Sequence, residues 1–224
     1  MKLSTQLITS PVAEPVTLAQ AKQHLRVDFD DEDLYIGTLI TAARVYAEKI
    51  TRRAFFNQTW MRTLDFFPLY GRLDVSRSPS ERDSWPYGTW YWDRVTLDMP
   101  YPGLVSVTNI TYLDSDSAEQ TLPSNSYNVD TTSTPGRIAP AQGLFWPILN
   151  NYIPGSVKIT YVAGSYGDGT EVNNCPQSIV QAILLLIAHW YTNREAVSAL
   201  TLKPVPMSVD ALLSLHKVSI VEYR

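Results

Sequence analysis

Pro15-Val16-Thr17-Leu18-Ala19-Gln20-Ala21-Lys22-Gln23-His24-Leu25-Arg26-Val27-Asp28 is the stretch from which the rest of the chain is best read. Thr17 and Gln20 have the spacing of a capping box, in which hydroxyl and amide each satisfy the other's orphan backbone N–H. Pro15 stops the helix from extending backwards, so a short helix is predicted to run to about Val27. The acidic run Asp28, Asp30, Asp31, Glu32 and Asp33 follows, where negative charge favours the start of a second helix. Leu39, Ile40, Ala43, Tyr46, Ala47 and Ile50 then recur at helical spacing as one apolar stripe. The acidic run lacks the ligand pattern and internal glycine of an EF-hand loop and reads as loop and helix cap.

From Asn57 the period changes from about 3.6 to 2. Strands are predicted at Thr59 to Phe66, Arg94 to Met99, Val105 to Leu113, Tyr127 to Asp130, Gly136 to Ala139 and Val157 to Val162, separated by turn-rich segments. Helix signals return at Cys175-Pro176, with proline at a first helical position and Ile179, Ile183, Leu184, Ile187 and Tyr191 as the stripe, ending near Arg194. A proline-broken linker, Lys203 to Pro206, leads to Ser208, a plausible N-cap for a short helix over Val209 to Leu215. No terminal helix buries its stripe alone, so the helices of the two ends should pack together. The expected fold is α+β: residues 15–56 and 174–216 as a small helical bundle, an inserted, mainly antiparallel β domain (sandwich or barrel-like) over 57–164, and an extended C-terminal tail over 217–224.

With 224 residues, 45% hydrophobic and 18% charged, the chain is ordinary for a folded protein, and its net charge of −4 lacks the basic excess of a phosphate-coating protein. Cys175 is the one cysteine, so stability must come from packing. The N-terminus has no secretory apolar run, which points to the cytoplasm, and Ile179 to Ala188 is too short to span a bilayer.

Catalysis by a nucleophile needs a base beside it, yet His24, His189 and His216 stand singly, no serine has a G-x-S-x-G context, and no zinc-binding cluster occurs. Gly164-Ser165-Tyr166-Gly167-Asp168-Gly169-Thr170 is the one glycine-rich loop, but it lacks the lysine of a P-loop and reads as a strand-to-helix connector. Asp65, Asp98, Asp114 and Asp130 fall on separate β elements, with nothing to single out a pair. The residues call for no cofactor, no metal and no catalytic role.

Trp85, Tyr87, Trp90, Tyr91 and Trp92 crowd the segment between Arg72 and Arg94. They could fold back on the β core, form a protein contact, or stack on sugars or bases. Interfaces favour Trp, Tyr and Arg, which ranks protein contact above ligand stacking. A carbohydrate- or nucleic-acid-binding module built on Trp85 to Trp92 is the alternative function.

The opening stretch, followed by Asp30-Asp31-Glu32-Asp33-Leu34 and Ala42-Ala43-Arg44, resembles the start of the head-tail connector (adaptor) proteins of tailed bacteriophages. Thr51-Arg52-Arg53-Ala54-Phe55 is similar to the helix end of that family, and Leu97 to Pro100 with Val107 to Asp114 to the β segment of its longer members. Pro154 to Gly164, Cys175-Pro176 and the run from Ala182 to Val197 resemble its final strand and long helix. The aromatic segment Ser84 to Trp92 and the tail Lys217 to Arg224 depart from the pattern.

The resemblance implies a structural virion protein at the head-tail junction, or neck, made in the host cytoplasm. It implies a homo-oligomeric ring, a dodecamer, that docks under the portal protein, extends the channel for genomic DNA and offers a platform to the next neck or tail component, with no membrane partner. A closing ring needs one face of each subunit to complement the opposite face of its neighbour. Arg44, Glu48, Arg52 and Arg53 on the helical wall, Trp85, Tyr87, Trp90 and Trp92 in the aromatic segment, and Val218, Ile220 and Val221 in the tail are the contact candidates. The last three lie in a segment able to add to a partner's sheet edge.

Overall fold

A computed structural model describes residues 3–68, 96–149, 153–170, 174–194 and 207–218. Its chain order is β1 (Leu3–Thr9), α1 (Leu18–Leu25), α2 (Asp33–Thr51), β2 (Gln58–Leu64), β3 (Leu97–Asp98), β4 (Leu104–Leu113), β5 (Glu119–Thr121), β6 (Tyr127–Asp130), β7 (Arg137–Pro140), β8 (Val157–Ala163), α3 (Gln177–Thr192) and α4 (Met207–Ser214). The fold is α+β, with terminal helices that pack together and two open sheets.

The chain divides into two compact units: one holds the described residues of Met1–Ile8, Thr59–Pro100 and Leu104–Val162, the other those of Thr9–Gln58, Tyr101–Gly103 and Ala163–Arg224. In the helical unit the capping box forms as expected: the Gln20 N–H donates to Thr17 Oγ1 at 3.2 Å and the Thr17 N–H to Gln20 Oε1 at 2.9 Å. α1 ends at Arg26, whose φ of 57° turns the chain out of the helix. α2 buries Ile36, Ile40, Ala43 and Ala47 against Ile179, Ile183, Leu186 and Ile187 of α3, and Val209 and Leu213 of α4 join the same core. Each fully buried Leu or Ile contributes roughly 1.5–3 kcal/mol. Pro176 sits at the N-cap of α3 with ψ 137°, one position earlier than expected, and α4 begins at Met207, so Ser208 lies inside the helix and does not cap it.

Three acids of the run, Asp30, Glu32 and Asp33, are paired within this unit. Lys22 Nζ lies 2.5 Å from Asp30 and 2.7 Å from Asp33. Glu32 takes Arg194 at 2.7 Å and the Tyr191 hydroxyl, while the Arg194 guanidinium lies over the Tyr35 and Tyr191 rings at 4.8 and 4.7 Å. The end of α3 is thereby tied to the start of α2.

The β unit has a five-stranded sheet in the order β1-β2-β8-β4-β5 and a three-stranded sheet in the order β3-β7-β6. The Leu113 N–H donates to the Ser156 carbonyl at one end of β4 and β8, and the Gly164 N–H to the Gly103 carbonyl at the other, so these strands run antiparallel. β4 with β5, β3 with β7 and β6 with β7 are also antiparallel. Among the described residues the larger sheet begins at β1 and ends at β5 and is not closed into a barrel, which leaves the sandwich-like form of the two expected. Leu64, Phe67, Ile110, Ile138, Ile159 and Tyr161 supply its interior.

Candidate functional site: an apolar groove on the second helix

α2 carries a second stripe, turned away from its buried one. Leu34, Gly37, Thr38, Thr41, Ala42 and Val45 recur at helical spacing and, with Tyr46, Lys49, Asp33 and Trp190 of α3, line an open groove of about 770 Å3. Leu34 is 86% exposed. Tyr46 and Trp190 meet edge to face, ring centroids 6.0 Å apart, and this aromatic pair forms one wall. Burial pushes the Tyr46 hydroxyl pKa above its ordinary value. Gly37 is the telling residue: a Cβ placed there would meet nothing within 4 Å. Glycine inside a helix costs roughly 0.5–1 kcal/mol relative to alanine, and among the described residues no neighbour requires it here.

The same helix carries a buried polar pin. Arg44 Nε is 2.8 Å from Glu14 and its Nη1 2.7 Å from Glu48. Glu48 also accepts from the Phe55 N–H at 2.8 Å and from Gln58 Nε2 at 2.5 Å. Burial raises the Glu48 pKa against the opposing pull of the Phe55 N–H and of Arg44. Arg44 and Glu48 are 3% and 7% exposed, so they face inward and hold the turn after α2 instead of forming part of a charged outer face.

That turn carries Arg52, exposed at φ 57°, and Arg53, half-buried, whose Nε donates to the His216 carbonyl at 2.9 Å. His216 Nε2 is 2.7 Å from Ser178 Oγ. The pairing resembles a nucleophile and base, but the charged group beside it is the Arg53 cation, opposite in sign to the carboxylate that orients a catalytic imidazole. The Val218 N–H donates to the Thr51 carbonyl at 3.0 Å and its side chain is buried, which fixes the root of the tail to the end of α2. Trp85, Tyr87, Trp90, Trp92, Ile220 and Val221 lie outside the described residues.

The glycine-rich loop proves to be packing. The Ser165 and Tyr166 N–H groups donate to the Ala54 and Phe55 carbonyls, and a Cβ on Gly164 would fall 2.6 Å from the Asn57 nitrogen. Those N–H groups are engaged in backbone pairing and do not cradle an anion. Among the described residues no cluster of three His, Cys, Asp or Glu forms a metal site, and no described helix is long and apolar enough to cross a membrane.

The β unit presents a surface that the sequence reading missed, the loop Gly143-Leu144-Phe145-Trp146-Pro147-Ile148-Leu149. Trp146 is buried and stacks on Phe67 with centroids 4.7 Å apart and planes within 1°, and Leu149 is buried too. The side chains flanking these anchors are more exposed: Leu144 is 45%, Phe145 71% and Ile148 83% exposed. Five apolar residues of mixed burial in an irregular segment carry no period, and only the structure sorts anchors from exposed tips.

Comparison with known proteins meets the resemblance read from the sequence. Residues 15–76 match the model of the phage gp6-like head-tail connector protein family. No curated protein matches the chain in sequence. Among solved structures, a chain from the neck of an empty gene transfer agent (GTA) particle, computed with C6 symmetry, superposes with a TM-score of 0.68 at 18% identity, covering 99% of this chain and 98% of that one. A chain from the virion of a native GTA particle gives 0.67 at 19%, with 98% of both covered. One from the neck of a native GTA particle, computed with C12 symmetry, gives 0.64 at 20%, covering 100% and 99%. The likeness spans nearly the whole of both chains and establishes a shared fold.

Proposed function

We propose that this chain, similar in fold to virion neck proteins along its whole length, is a structural subunit of the head-tail connector. In this reading twelve copies close a ring under the portal protein, extend the channel for genomic DNA and offer a platform to the next neck or tail component, assembly taking place in the host cytoplasm. Its work is shape and adhesion, without turnover or cofactor. The observation that carries the reading is the match of residues 15–76, which holds α1, the acidic run, α2, the Arg52-Arg53 turn and β2, to the connector family.

The physical properties agree. A net charge of −4 suits a lumen that must let DNA slide without gripping it. The bundle of residues 15–56 and 174–216 is the candidate ring wall, with the inserted β domain and the tail as further candidate contacts. Within the wall, Arg44 and Glu48 act from inside by fixing the turn that presents Arg52. The tail from Ser219 onward, rooted at Val218, is the candidate strand for a portal or neighbour sheet edge.

Electron microscopy of the purified chain, alone and mixed with portal protein, tests the reading. Rings, free or portal-bound, are expected; inert monomers in both samples would overturn it. Deleting Ser219 to Arg224, which spares the Val218 anchor, should weaken portal decoration without lowering the unfolding midpoint.

A further inference from the structure

We infer that free copies of this chain pair two-fold through the α2 groove, the second helix of one copy lying antiparallel in the groove of the other. This goes beyond the connector reading: it concerns the chain before it docks, and a two-fold contact closes on itself at two copies.

The groove carries its own complement. From Leu34 to Lys49 its α2 residues are spaced symmetrically about the midpoint between Thr41 and Ala42. A second α2 running the other way therefore sets Gly37 opposite the second copy's Tyr46, and Leu34 opposite the stem of the second copy's Lys49. The largest side chain of the stripe meets the smallest. A Cβ at Gly37 would meet nothing within 4 Å, so the incoming ring has room, and the groove of about 770 Å3 has space for more than one side chain.

Any stripe at helical spacing permits such a pairing; charge selects the second copy and its direction. At the start of α2, Lys22 and Arg194 take Asp30, Asp33 and Glu32, while Asp28 and Asp31 are exposed. At its end Lys49 and Arg52 are exposed. Antiparallel pairing sets each acidic start beside the other copy's basic end and opposes the two helix dipoles, whereas parallel pairing would set like beside like.

The polar groups of the stripe tolerate burial. Thr38 Oγ1 donates to the Tyr35 carbonyl at 2.6 Å and Thr41 Oγ1 to Glu14 Oε1 at 3.0 Å, so a covering helix orphans neither hydroxyl. Glycine, alanine and threonine at the crossing allow the axes to approach closely. The 19 residues of α2 span about 28 Å, and one helix pair of that length with Trp190 at its side is a small interface. The dimer is accordingly weak and releases its copies on dilution.

Sedimentation equilibrium of the full chain without portal protein should show monomer passing to dimer as concentration rises. Cys175, buried, is replaced by alanine for trapping. In that background Ala42→Cys, beside the two-fold axis, should give a covalent dimer on mild oxidation, and Gln23→Cys, exposed on α1, should not. Gly37→Leu fills the groove from its own side, and Lys49→Glu sets acid beside acid. Each should weaken dimerisation roughly tenfold or more while the unfolding midpoint of the dilute chain does not fall. A chain that stays monomeric, or passes straight to rings, overturns the pairing. So does a dimer that Ala42→Cys fails to trap or that Gly37→Leu leaves as strong as the parent's. Portal-bound rings seen alongside any of these results leave the connector reading standing.

Discussion

Arg44 Nη1 lies 2.7 Å from Glu48 Oε2, one turn apart on α2, and both side chains are buried. Glu48 ties three things together: the Arg44 charge, the Phe55 N–H beyond the helix end and the Gln58 amide at the start of β2. Glu48→Ala leaves the Arg44 charge with Glu14 alone and orphans the Phe55 N–H. It should cost about 3 kcal/mol, the lower end for removing one partner of a buried pair. Glu48→Gln keeps an acceptor for Phe55 and should cost visibly less. Urea unfolding checks both, and equal midpoints for the two variants would show that the carbonyl-type acceptor is irrelevant.

His216 gives the tail root a pH dependence. Burial first, and then the Arg53 charge, hold its imidazole pKa below the ordinary value. The unfolded imidazole therefore takes its proton first as pH falls. The stabilisation is complete above the unfolded pKa of about 6.5 and is lost as pH falls through the lower folded value. Protection of the Val218 amide against hydrogen exchange, corrected for the intrinsic rate, should drop on acidification. His216→Gln should flatten that drop, and a profile identical to the parent's would remove His216 from the account.

Cys175 should be chemically silent in the folded chain. Burial, with a further push from Glu48, drives its thiol pKa up to about 12. At pH 8 almost no thiolate exists to react. An aromatic disulfide reagent should label it only after denaturant is added; rapid labelling of the native chain would mean that the helical unit opens around it.

Trp146→Ala should destabilise the β unit by about 3–5 kcal/mol, since it removes a buried indole together with its stack on Phe67. Ile148→Ala, two residues later but 83% exposed, should leave the thermal midpoint within a degree or so of the parent. Calorimetry of the two variants side by side separates anchor from tip.

Where a segment has one buried face, the sequence displays it. The Thr17–Gln20 box, the stripes of α2 and α3 and the alternation Val157, Ile159, Tyr161, Ala163 in β8 all repeat with the period of their element. β1 and β5 escaped notice for the converse reason. These two strands bury no face, Ser4, Gln6, Leu7, Ile8 and Thr9 being exposed and Glu119 to Thr121 exposed throughout, so no alternation marks them. The site was less legible. Arg44 and Glu48 look like surface charges in a sequence, because a buried ion pair differs from a solvated one only in its surroundings. The α2 groove was hidden by Gly37, Thr38, Thr41 and Ala42, small residues whose meaning is the space above them.

Gly37 bears on what a stability measurement of this protein means. If the void above it is filled by a second copy, folding and association are linked equilibria, and the unfolding temperature belongs to a concentration of chains. Dilution should then lower the midpoint of the natural chain. Gly37→Ala would make the lone helix firmer and the curve less sensitive to concentration, exchanging cooperation among subunits for the self-sufficiency of one.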